Sequence, residues 1–289
     1  MTDIAIKPAE SENRKFIRRL LRRKTVAFGL VILVIFVLLA VLAPWVAPYS
    51  PSKLSIVNRL KPPSGTYFFG TDEFGRDVLS RTIYAGRLSL LVGVAVVALS
   101  SVIGVTLGLL AGFFKKLDTP IARLIDAMMA FPDILLAIAL VAALGASAIN
   151  VIIALGIVYA PRLARVVRAS TLVIRELPYV EAARALGVPT WKILLRHVLR
   201  NVTSPLLVQG TFIFANAILA EAGLSFLGVG ISPDTPTWGT MISVGRQFMD
   251  KAGWLMWFPG AAIVITVLSL QLVGDGLRDL LDPRLAKDI

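Results

Sequence analysis

Ile134 to Pro161 (ILLAIALVAALGASAINVIIALGIVYAP) is a run of 28 uncharged residues. A hydrocarbon core of ~30 Å takes about 20 apolar residues at 1.5 Å each, so this run is either one long span or parts of two. Gly145, Ser147 and Asn150 interrupt it near the middle. If they form a turn, Ile134–Leu144 is too short to cross alone. Its span must then start earlier, near Pro120, with Thr119 as N-cap and proline at the first helical position. That brings Arg123, Asp126, Pro132 and Asp133 into its cytoplasmic half.

The flanking sequence settles the count. Further apolar windows run from Thr25 to Pro51, Leu88 to Phe114, Asn201 to Ala220 and Ala252 to Gly274. Trp45 and Tyr49 stand like interface anchors at the far end of the first, and Trp254 and Trp257 open the last. With six spans and the N-terminus inside, inner segments hold 22 of the 30 Lys/Arg, as 8 in 1–25, 3 in 115–133, 8 in 162–200 and 3 after 274. Outer segments hold the other 8. Five spans would translocate the Arg162–Arg200 loop with its eight basic residues, against the positive-inside rule. The expectation is an all-α polytopic membrane protein with six transmembrane helices and both termini cytoplasmic. Its expected parts are a basic tail 1–25, a first span 26–47, an outer loop 48–87, a five-helix core 88–284 with an inner loop 162–200, and a tail 285–289. The basic start followed by an apolar run also suits a signal peptide. The run exceeds the usual 7–15-residue apolar region, so an uncleaved first span is expected.

Composition agrees. The 289 residues have a mean hydropathy of +0.78, with 56% hydrophobic and 17% charged residues, against about 25% charged in soluble proteins. The net charge of +12 divides into +10 inside, +3 outside and −1 at Glu221. It therefore reads as a mark of topology and implies no nucleic-acid partner. Cysteine is absent and His197 is the single histidine, which removes disulfides, thiolate metal sites, cysteine nucleophiles and HExxH zinc motifs. No cofactor is expected.

Gly104, Gly108 and Gly112 recur every four residues in the second span, a pattern for close helix packing. Ionisable groups in spans are functional candidates by default. Asp126 and Asp133, seven apart and so on one face of a continuous helix, are candidates to line a translocation path, as is Glu221 near the outer end of span five. The plainer alternative places all three at interfaces, with Asp126 paired to Arg123. A proton-coupled carrier calls for a mid-membrane relay, which these peripheral acids do not supply. No Gly-Lys dipeptide occurs, so there is no Walker A loop. ATP energy would have to enter through another chain.

The inner loop is ordered enough to receive it. Arg175–Leu186 (RELPYVEAARAL) has a helix-forming composition with Pro178 near its start. Gly187 reads as the stop, and Pro189 opens a second helix, Thr190–Leu199. Ala182, Ala183 and Ala185 keep the first helix slim, Tyr179 and Leu186 offer apolar contacts, and Glu181 supplies a charge for register. Such a helix fits a partner's groove. The alternative is a helix lying on anionic headgroups.

Glu181-Ala182-Ala183, three residues and then Gly187 resembles the EAA–Gly loop of binding-protein-dependent ABC importer permeases. The usual ending is partly met: His197 takes the aliphatic position, Leu199 is retained and Arg200 replaces proline. Gly70-Thr71-Asp72 with Gly75-Arg76-Asp77-Val78-Leu79-Ser80-Arg81, and Phe131-Pro132-Asp133, resemble the dipeptide/oligopeptide subgroup. So do Glu221-Ala-Gly-Leu-Ser-Phe-Leu-Gly228, Pro236-Thr-Trp-Gly239, Gly274-Asp-Gly-Leu-Arg-Asp279 and Asp282-Pro-Arg284. The similarity runs in order along the chain after residue 15 and is closest to the second permease subunit.

The resemblance implies a type I permease fold in the bacterial inner membrane, paired with a homologous second permease. Two cytoplasmic ATP-binding subunits and a periplasmic or lipid-anchored substrate-binding protein would complete the transporter, with membrane lipid around it. Hydrolysis would lie in the partners, so the chain is not an enzyme. Di- or oligopeptides are the expected substrates, with glutathione or nickel chelates as alternatives. A stand-alone secondary transporter and a membrane scaffold remain as other classes. The outer segments Pro48–Arg87 and Gly228–Lys251, with Trp238, are expected to form the gate and binding-protein dock.

Overall fold

The computed structural model describes Leu20 and residues 22–281. Most of the basic tail, Asp282-Pro-Arg284 and residues 285–289 lie outside the described residues. The described part is helical, with a single isolated bridge between Thr71 and Asp77. In chain order the helices are α1 Lys24–Val41, α2 Ala43–Val46, α3 Val78–Phe113, α4 Lys115–Met129, α5 Asp133–Leu144, α6 Ala148–Ile174 and α7 Pro178–Ala185. They continue with α8 Thr190–Ile193, α9 Arg200–Phe226, α10 Trp238–Gly245 and α11 Trp254–Leu281. A π-helical turn, Leu194–Leu199, joins α8 to α9.

Four single helices (α1, α3, α6, α11) and the continuous Thr190–Phe226 are long and apolar enough to cross a membrane. The pair α4–α5 makes a sixth span if counted together, and it is bent by 91°. The straight third span is therefore corrected. Thr119 is not an N-cap, because α4 starts at Lys115 and runs through Pro120. The break falls at Ala130–Pro132, where proline disfavours helical geometry in the residue before it. Asp126 and Asp133 consequently stand on different helices, not on one face.

The turn within the long apolar run has the expected chemistry. Gly145 takes φ +94°, and Ser147 caps α6 by accepting from the Asn150 N–H at 3.2 Å. The Asn150 amide closes the end of α5 by donating to the Leu144 and Gly145 carbonyls at 2.7 and 2.9 Å.

The most extensive contact joins α3 to α6. A Cβ at Gly104 would lie 2.8 Å from the Ala160 carbonyl, and one at Gly108 2.7 Å from the Ala164 carbonyl. The missing side chains therefore let these two backbones meet, and dispersion contacts gain from it. A second layer packs α11 against α9 and α1. Arg23 pairs with Asp279 at 2.5 Å, while Trp254 Nε1–H donates to the Thr71 carbonyl at the opposite end. Both described chain ends thus lie at one end of the bundle. That end also carries the α6–α8 loop, since Arg175 donates to the carbonyl of Gly112, near the last residue of α3, at 2.8 Å. It is called the loop end below, and its opposite the far end.

Candidate functional site

At the loop end, α7 is built as a projecting bracket. Pro178 occupies its first turn. Gly187, at φ +75°, stops it: its N–H donates to the Arg184 carbonyl at 2.9 Å and the Val188 N–H to the Ala183 carbonyl at 3.0 Å. This paired closure satisfies the last carbonyls and favours glycine for its left-handed φ. Val180 and Ala183 are buried in the chain's own core, so Ala183 anchors the helix rather than forming its outer side. Tyr179, Glu181, Ala182, Leu186 and Gly187 are exposed, with Leu186 at 83%. Trp191 and Leu195 extend this bare apolar surface. Sequence reasoning missed both, although they stand four residues apart within the second helix.

The bracket is fastened from behind. Tyr179 Oη accepts from the Asn201 amide at 3.2 Å, and the Arg184 guanidinium lies 4.7 Å from the Phe113 ring. At the join with span five, where Arg200 replaces proline, the chain passes helically through the π turn. An amide N–H is thereby available where proline would lack one.

A polar face lies on α6. Arg168 pairs with Asp118 at 2.5 Å, Arg165 with Asp126 at 2.7 Å, and Arg162 with Asp133. The expected Asp126–Arg123 pair is replaced by Asp126–Arg165, which joins α4 to α6. Successive arginines are three positions apart, so they follow one side of α6. Beside the last pair, Asp133, Tyr159 and Asn216 line a cavity of about 230 Å³ with Ile134, Leu155, Leu219 and Ala220. The Arg162-x-x-Arg165-x-x-Arg168 spacing was readable, but its partners 29, 39 and 50 residues away were not.

The far end is closed by other groups. Glu221 is buried, not at a lipid interface: its Oε1 accepts from Ser225 and Thr237 hydroxyls, both at 2.9 Å. Thr237 also caps α10, accepting from the Thr240 N–H at 3.0 Å. Trp238 is buried too, its Nε1–H donating to the Thr82 carbonyl at 3.0 Å and its backbone N–H to Ser89 Oγ at 3.1 Å. Glu221 and Trp238 therefore pin α10 to α9 and α3.

The loop ahead of α3 is similarly locked. Asp72 accepts from the Phe74 and Arg76 N–H groups at 2.9 and 2.8 Å and from Arg76 Nε at 2.6 Å. Asp77 caps α3 through the Ser80 N–H at 2.8 Å, so the helix begins ten residues before the expected Leu88 and absorbs the end of the expected outer loop. Burial, with the neighbouring Asp72 charge, pushes the Glu73 carboxyl above its ordinary range despite Arg76. No cluster of possible metal ligands occurs among the described residues.

The described residues thus form a bundle of long apolar helices with a partly bare loop helix at one end. Residues 104–287 match the family "Binding-protein-dependent transport system inner membrane component", and residues 11–63 match "N-terminal TM domain of oligopeptide transport permease C". A putative peptide transport system permease protein of Brucella suis biovar 1 (strain 1330) is 51% identical over 93% of this chain and 90% of its own. The dipeptide transport system permease protein DppC of Alkalihalophilus pseudofirmus is 43% identical over 96% and 91%. A solved chain of the inward-facing MetNI methionine ABC transporter shares the fold at a TM-score of 0.57 and 20% identity, covering 70% of this chain and 97% of that one. The chain belongs to the binding-protein-dependent transport permeases, multi-pass proteins of the bacterial inner membrane. It is a permease and not an enzyme.

Proposed function

We propose that this chain is one of two homologous permease subunits of an ATP-driven peptide importer, with α7 as its dock for a cytoplasmic ATP-binding subunit. The observation that carries the proposal is the construction of α7. Its C-cap Leu186 is bare and apolar, as are Trp191 and Leu195 in the segment that follows, while α7 itself is tied to α3 and α9. A groove that grips Tyr179, Glu181, Ala182 and Leu186 would move Thr190–Phe226 with it as one body, the rigid coupling that alternating access needs. The loop end then faces the cytoplasm, as the 22 inner basic residues favour.

Asp126 and Asp133, with their arginines, are assigned to the path between the two permeases. Glu221 and Trp238 are assigned to hold the opposite gate, and the segments 48–77 and 228–251 to receive a substrate-binding protein. The peptide substrate follows from what the relatives are named for. Copurification of the complex with its binding protein tests it: di- or oligopeptides should raise that protein's melting temperature. Stabilisation only by a metal chelate or another solute would refute the peptide assignment while leaving the permease role.

A further inference from the structure

We infer that Asp133, Arg162, Tyr159 and Asn216 form a transit site for zwitterionic solutes, with the ammonium end at Asp133 and the carboxylate end at Arg162. The inference rests on the peptide-importer reading. Depth is the first observation. Asn216 lies ten residues before the far end of α9, or ~15 Å, and Arg162 fourteen residues into α6, or ~21 Å. Both therefore stand mid-way along long helices and not at their ends. Asn216 is nevertheless exposed on the chain, as are 31% of the Asp133 and 42% of the Arg162 side chains. Polar groups at such depth face a protein interior or a wet cavity rather than lipid.

Chemistry supplies the second observation. The cavity of about 230 Å³ is smaller than the roughly 300–1,000 Å³ that encloses a drug-sized ligand. It therefore suits one end of a passing chain. The Asn216 amide N–H is committed to the Phe212 carbonyl at 2.8 Å, leaving its Oδ1 for a ligand. The buried Tyr159 hydroxyl, 3.4 Å from the Asn216 carbonyl, retains acceptor capacity. Two neutral acceptors beside a carboxylate match the donors of an ammonium group.

Pairing decides the class of solute. Without substrate, Asp133 and Arg162 neutralise each other. A simple cation bound at Asp133 would strand Arg162, and an uncompensated charge in a low dielectric is strongly unfavourable. A zwitterion exchanges partners with both groups and strands neither. The Asp126–Arg165 pair, exposed at 67% and 53%, stands next toward the loop end and offers the same exchange one step on.

The test uses the complete transporter with its binding protein in proteoliposomes, following labelled alanyl-alanine uptake and ATP hydrolysis together. Asp133→Asn should lower peptide moved per ATP by about tenfold or more, the scale of one charge-assisted hydrogen bond. Asn216→Ala, at an exposed position, and Tyr159→Phe should each lower it several-fold. Peptide affinity of the binding protein should not change. The exchange Asp133→Arg with Arg162→Asp keeps an ion pair but moves the neutral acceptors to the carboxylate end, so it should assemble yet stay defective. Recovery to wild-type coupling in that exchange, or wild-type coupling in both Asn216→Ala and Tyr159→Phe, overturns the site. A wild-type complex that takes up no dipeptide overturns the peptide reading, and the inference with it.

Discussion

Gly108→Ala probes the α3–α6 contact with the smallest possible change. The added Cβ would sit 2.6 Å from Val167 Cβ, 2.7 Å from the Ala164 carbonyl oxygen and 2.8 Å from Val167 Cγ1. Carbon contacts are optimal near 3.5–4.0 Å, so relief requires about 1 Å of movement. One obstacle is backbone, and a rotamer change cannot clear it. The helices must part, and a gap of 0.5–1 Å forfeits roughly a quarter to a half of each dispersion contact along the seam. Overpacking of this kind costs ~1–3 kcal/mol, while alanine's helix propensity returns up to about 1. Gly210→Ala is the matched control, since its Cβ would meet only Val97 Cγ1 at an ordinary 3.6 Å. Thermal unfolding of the purified complex should place Gly108→Ala below Gly210→Ala by about 1–3 kcal/mol. At roughly 2–4 °C per kcal/mol, that is a gap of several degrees. Val167→Ala should close part of it by removing Cγ1, with the Cβ of residue 167 and the Ala164 carbonyl left in place. Equal midpoints for the two glycine variants would refute the close-packing argument.

Asp77→Ala removes the cap of α3, including the 2.6 Å bond from Ser80 Oγ; a loss of ~1–2 kcal/mol in thermal or denaturant unfolding is expected. Trp238→Ala should cost more, ~3–5 kcal/mol, because the ring already walls an apolar cavity of about 410 Å³ with Phe36 and Phe258 that cannot fill the space left; its melting midpoint is the check. Glu73→Gln should stabilise the loop ahead of α3 at neutral pH. The raised Glu73 pKa means the folded loop disfavours the carboxylate, so the penalty is complete above the folded pKa. It shrinks as pH falls and is gone below the ordinary value of 4.5. Protection from proteolysis, compared across pH, should show the advantage of Gln vanishing on acidification.

Local chemistry was legible in the sequence. Gly145, Ser147 and Asn150 act within a few residues of each other, and so do the proline, alanines and glycine that start and stop α7. Long-range partners were not. Hydropathy reports composition and not direction, so the Phe131-Pro132 break was visible as residues but its 91° turn was not. The acids on α4 and α5 were seen as candidates, but an ion pair with Arg165 or Arg162 forms only once α6 lies beside them. The start of α3 was read too late because its capped first turns are polar. Glu221 near a span end read as peripheral, and burial came from Thr237, sixteen residues on, folding back over it.

The proposed docking of α7 on an ATP-binding subunit can be measured directly, because the chain contains no cysteine. Leu186→Cys gives a unique thiol at a side chain 83% exposed on the permease alone. A water-soluble maleimide should label it readily in the permease without its ATP-binding partners and poorly in the assembled, transport-competent complex. A short bifunctional crosslinker should join it to the ATP-binding subunit. Equal labelling in both states, with transport intact and no crosslink to that subunit, would contradict the role assigned to α7.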